Sequence, residues 1–180
     1  MLSALSFRLS SRQRFLVGQY ASGLWLLPAC AYFAVVPYGT PGLKGLPWFL
    51  VHSLNLIPHE AGHVLFRPFG ELMMFAGGSV WQLLFPCIWL WIAVVNDTKW
   101  GVQLCLVWLG QNWIDVSVYA ADAVTRQLPL IGGLGVEAHD GFNILWRLGA
   151  LEHTALIAST MVALAYLTWA LMLVAPRWVG

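Results

Sequence analysis

Apolar residues along this chain gather into runs long enough to cross a bilayer, and the polar positions collect between those runs or at a few points inside them. A bilayer core is crossed by about 20 apolar residues in helix. Residues 15–36 are uncharged, and 46–66 are apolar except for a set of histidines, an asparagine and a glutamate. A third run starts at Leu72, but the pair Gly77-Gly78 predicts a turn, so its spanning part is expected from about Ser79, over 79–95. Residues 100–123 hold Asp115 and, near the end, Asp122, while 154–174 are free of charge. Between the last two runs, "HDGFNILWRLGALEH" mixes apolar positions with Arg147, Glu152 and His153, which predicts a helix lying at the interface over 140–153. The pattern therefore predicts an all-α, polytopic helical membrane protein. It has one transmembrane domain over 1–180, about five transmembrane helices and one interfacial helix.

Composition agrees with that solvent. Of 180 residues, 59% are hydrophobic and 9% charged, where soluble domains carry about 25% charge, and the mean hydropathy is +0.72. A net charge of +1 offers no basic face for nucleic acid. Cys30, Cys87 and Cys105 are widely spaced in apolar runs, so they read as packing residues rather than a disulfide framework or a thiolate zinc site. Arg8, Arg12 and Arg14 precede the first run, which continues past "LPAC" and so reads as a retained anchor. With the N-terminus cytoplasmic, Arg67, Arg126 and Arg147 join them inside, while Lys44, Lys99 and Arg177 lie outside. That orientation fits a plasma (inner) membrane and makes Trp48, Trp100 and Trp178 an outer aromatic belt.

The polar set in the second run, "NLIPHEAGHVLF", then demands an explanation, because ionisable side chains inside a membrane are costly unless they pair or coordinate something. His59 and His63 are four apart and share one helix face, where two imidazoles can hold one metal ion and Glu60 can reach its bound water. This is the H-E-x-x-H pattern of zinc hydrolases, in which the carboxylate serves as general base. Pro58 predicts either a kink beside the metal or the start of a fresh helix. His52 is about 10 Å along the helix from His59, too far for the same ion, and is expected to line a polar cavity or to be hydrogen bonded.

With "HEAGH" in one apolar run and "GQNWIDVSVYAADA" in a later one, the chain resembles the site-2 protease group of intramembrane zinc metalloproteases. The resemblance implies a zinc metallopeptidase that cuts membrane proteins or peptides within the bilayer, with His59 and His63 as metal ligands and Glu60 as catalytic base. In that group a later helix brings an asparagine and then a Leu-Asp-Gly whose aspartate is the third ligand. Here the region holds Asn112, Asp115 and Asp122, and Asp122 is followed by Ala123.

Depth bears on the choice among these aspartates. His63 lies about 6 Å before Arg67 and Asp122 about 6 Å before Arg126, whereas Asp115 lies about 16 Å before it. Asp122 is therefore the expected third ligand, with Asp115, His139 and Asp140 as alternatives, and Asp140 is also a natural cap for the interfacial helix. Asn112, Asp115, Tyr119 and Asp122 recur at helical spacing on a stripe expected to face the second span. Tyr119 is a candidate donor to the oxyanion of a peptide carbonyl under attack. A membrane metal-binding protein without proteolytic activity, or a zinc hydrolase of a lipid or small amide, is the alternative reading. Glu60 favours hydrolysis, since a storage site has no use for a base.

Overall fold

A computed structural model describes residues 11–130, 133, 135–177 and 179, with side chains from residue 21 onward. The expectations resting on Arg8, Arg12, Arg14 and Trp178 lie outside those described side chains. Six α-helices follow in order: α1 Ser11–Val35, α2 Leu46–Phe66, α3 Glu71–Val95, α4 Lys99–Ala121, α5 Asp140–Arg147 and α6 Thr154–Val174. No strand occurs among the described residues, as the helical pattern of the sequence predicts.

By length and apolar composition, two described segments can cross a membrane, Glu71–Val95 and Leu151–Arg177, and a shorter apolar helix covers Ala21–Val35. Five spans are therefore not supported. The reason lies in α2 and α4. They run for 21 and 23 residues, long enough to cross a bilayer, but His52, Asn55, His59, Glu60 and His63 in the first and Gln103, Gln111, Asn112 and Asp115 in the second dilute their apolar character.

The polar and apolar parts of the interior are separated in space. Phe33 and Cys30 of α1, Trp48 of α2, Val102, Leu106 and Val107 of α4, and Ala165, Trp169 and Met172 of α6 form one apolar core. Trp48 is only 2% exposed; its indole donates to the Val36 carbonyl at 2.8 Å and meets the Phe33 ring edge-on. It is a core residue, and the outer belt predicted for it is corrected, because the chain before α2 folds over its ring. The Trp169 indole lies against Gly110 and donates to the Val107 carbonyl at 3.2 Å, which fastens α6 to α4.

On the other side, α2 and α3 pack closely at two glycines. A β-carbon at Gly62 would collide with the Gly77 carbonyl, and one at Gly77 would meet the Gly62 carbonyl and the Phe66 ring. The predicted turn at Gly77-Gly78 is thus replaced by continuous helix from Glu71 to Val95. Glycine there serves a close helix crossing rather than a chain reversal. Likewise α2 passes through Pro58 without a break, so no fresh helix begins there. The predicted interfacial helix is shorter than expected. It ends at Arg147, and a turn with Gly149 at positive φ and a short 3-10 segment, Leu151–His153, lead into α6.

Candidate metal centre

His59 and His63 project from α2 toward α3, and each ring is oriented by a bond at its Nδ1. His59 Nδ1 donates to Gln82 Oε1 at 2.9 Å, and His63 Nδ1 donates to the Met74 carbonyl at 2.8 Å. Both acceptors come from α3. With the ring protons on Nδ1, the two Nε2 lone pairs converge on one point, and a neutral imidazole binds metal through such a nitrogen. Ligand atoms of His59, Glu60 and His63 all lie within 4.8 Å of one another.

The acid that joins them is Asp140. Its Oδ2 lies 3.2 Å from His59 Nε2 and 3.2 Å from His63 Nε2. Asp140 opens α5, whose own cap is the preceding residue: His139 Nδ1 accepts the Phe142 backbone N–H at 3.1 Å. The capping role expected of Asp140 therefore belongs to His139, which leaves the Asp140 carboxylate free to face the histidines. His139 is in turn unsuited to ligation. Its Nδ1 is occupied by the cap, its Nε2 faces Asp122 Oδ2 at 3.3 Å, and its ring is stacked on Tyr119 at 4.3 Å.

Asp122 stands elsewhere. It follows the last residue of α4, where its carboxylate accepts the Thr125 hydroxyl at 2.5 Å and the backbone N–H groups of Gln127 and Leu128 at 2.9 Å each. The expectation that Asp122 joins the histidines is corrected on this geometry: the aspartate closes the turn after α4. Asp115 is also turned away from them. It accepts from His52 Nδ1 at 2.8 Å, Asn55 Nδ2 at 3.2 Å and Gln82 Nε2 at 3.1 Å. Asn112 bonds to the Trp108 carbonyl of its own helix. Of the predicted stripe on α4, Asp115 and Tyr119 face α2, and the Tyr119 ring stands edge-on to His59 at 6.3 Å.

The residues present fit a zinc ion. Two donors held by one tetrahedral zinc at about 2.0–2.1 Å lie about 3.3 Å apart, close to the 3.2 Å separating Asp140 Oδ2 from each imidazole nitrogen. Two imidazole lone pairs facing a carboxylate oxygen repel one another unless a cation or protons sit among them. Space is provided on the α3 side, where a β-carbon at Gly78 would stand 2.6 Å from His63 Nε2 and 2.7 Å from His59 Nε2. Gly78→Ala should accordingly lower zinc affinity at least tenfold, by the order of effect seen when ligand orientation is disturbed. Isothermal titration of the detergent-purified variant would show it, and wild-type affinity would mean that the α3 backbone is not part of the cradle.

A cavity of about 300 Å³ opens from this cluster. Glu60, Tyr119 and Asp140 stand at the histidine end, Tyr38 and His52 line it farther along α2, and Leu56, Phe75 and Val116 are among its apolar walls. Gln82 is the member of the site that the sequence reading misses. Gln82 carried a usable signal, a lone amide in the uncharged run "SVWQLLF", of the same kind that drew notice to the histidines. The chain matches no family model, no curated protein and no solved structure in comparison with each.

Proposed function

We propose that this protein is an intramembrane zinc metalloprotease, with His59, His63 and Asp140 as metal ligands and Glu60 as general base. The observation that carries the reading is the meeting of the H-E-x-x-H face with a carboxylate from a distant helix at ligand spacing. Two histidines and one acid leave a fourth position for water, which is the composition of a catalytic rather than a structural zinc site.

Membrane placement is supported by the surface. Phe49, Leu50, Leu54, Ile57 and Val64 on α2, Trp91 and Val95 on α3, and Leu156, Leu167 and Leu171 on α6 are all exposed. Apolar area on that scale is suited to lipid and not to water. The polar faces of α2 and α4 turn inward to the cavity, so these two helices join the apolar ones as membrane spans despite their composition. The five-span arrangement, with the N-terminus cytoplasmic and the histidine end of α2 toward the inner face, belongs to this proposal.

Bound zinc supplies a Lewis acid and a water acidified toward neutral pH. The chain's own groups do the rest. Glu60 holds the proton taken from water at its carboxylate and returns it to the departing amine. Tyr119, stacked on His139, lines the cavity and is the group assigned to donate to a carbonyl oxygen as negative charge develops there. Apolar walls around the cavity keep bulk water from the reacting bond. A membrane-embedded protein or peptide is the substrate class, since the cavity lies among helices whose outer faces are apolar.

Metal analysis of protein purified in detergent tests the assignment. About one zinc per chain is expected in the wild type, with loss in His59→Ala and His63→Ala. Full zinc in both variants would remove the metal from these residues.

A further inference from the structure

Beyond the ligands, a continuous hydrogen-bonded chain runs along the cavity toward the start of α2. The Tyr38 hydroxyl donates to His52 Nε2 at 3.1 Å, and His52 Nδ1 donates to Asp115 Oδ1 at 2.8 Å. Gln82 Nε2 donates to Asp115 Oδ2 at 3.1 Å, and Gln82 Oε1 accepts from His59 Nδ1 at 2.9 Å. Asn55 also donates to Asp115 Oδ2 at 3.2 Å while its own carbonyl accepts the Trp108 indole N–H at 2.8 Å. Asp115, Gln82 and Asn55 are all buried, at 5% exposure or less.

The direction of every bond in this chain follows from Asp115. An ionised carboxylate only accepts, so the group that Gln82 turns toward it must be the NH₂. The Gln82 carbonyl then faces His59 and accepts only if His59 carries its proton on Nδ1. That tautomer leaves Nε2 bare and pointing at the metal position. We infer that Asp115 is a positioning residue for the metal centre, setting the tautomer of His59 through the orientation of the Gln82 amide. The inference rests on the zinc reading proposed above and assigns a role to two buried side chains that the ligand set alone does not use.

Removing the carboxylate without supplying a new polar group releases the amide. In Asp115→Leu the Gln82 NH₂ facing position 115 has no acceptor, so the amide turns over and donates to His59 Nδ1. That nitrogen must then be bare, and the proton moves to Nε2, where it obstructs the metal. A second change, Gln82→Glu, removes the conflict, because a carboxylate at 82 only accepts and so returns the His59 proton to Nδ1.

The test is a zinc titration of wild type, Asp115→Leu and the double variant Asp115→Leu with Gln82→Glu, each checked for folding by size exclusion and thermal unfolding without metal. Asp115→Leu is expected to weaken zinc by about 10–100-fold, the usual effect of losing an outer hydrogen-bond partner, and the double variant to return within a few-fold of wild type. Wild-type affinity in Asp115→Leu overturns the inference, and so does a loss that Gln82→Glu fails to recover, since a purely architectural carboxylate would not be rescued by a charge at 82. Absence of zinc from the wild type itself overturns the metal reading and the inference together, which distinguishes the two failures.

Discussion

On the proposed reading, Glu60→Gln is expected to keep its zinc and to lose hydrolysis by about 10²–10⁴-fold, the range that a positioned general base contributes. The amide preserves the size and hydrogen-bonding capacity of the side chain but cannot take a proton from water. Glu60 follows His59 directly, lines the cavity and lies with both histidines in the donor cluster. The measurement pairs metal analysis with mass-spectrometric detection of cleaved transmembrane peptides in liposomes. Cleavage by the variant at near wild-type rate would take the base role from Glu60. Loss of zinc along with activity would make Glu60 a ligand instead.

The second large effect separates Asp140 from Asp122. Asp140→Ala removes a proposed direct ligand and is expected to weaken zinc by more than the roughly 100-fold that outer partners contribute. Asp122→Ala should leave zinc affinity within a few-fold of wild type, because its carboxylate serves the turn at Thr125, Gln127 and Leu128. Its cost falls on stability, through backbone N–H groups left without their acceptor. Zinc titration and thermal unfolding of the two variants side by side decide the matter. Severe zinc loss in the second with none in the first would return the third ligand to Asp122.

How far the sequence reveals this arrangement depends on whether a residue acts within its own helix. The boundaries of α2 and α6 follow from apolar run length, and the pairing of His59 with His63 follows from helical spacing, because both are local properties of one segment. The third ligand depends on azimuth and on the course of a loop. Depth and helical spacing favour Asp122, but neither says which way a side chain turns once the helix has ended. Asp140 is legible as a candidate, but its freedom to face the histidines rests on His139 taking the cap, a choice made by the backbone at one position. The glycine pair at 77 and 78 is ambiguous in the sequence for a related reason. Glycine permits both a turn and a close helix crossing, and only the neighbouring helix decides between them.

The distance along the chain between the residues proposed as ligands sets the order in which the site can be completed. His59 and Asp140 are 81 positions apart, and α3, α4 and the segment after α4 lie between them. During synthesis the H-E-x-x-H helix precedes its acidic partner, so a half-made chain carries the motif without Asp140. On the proposed reading, hydrolytic competence would arrive only when α5 docks against α3 and α4. The position of one aspartate would then be what keeps the growing polypeptide from that chemistry.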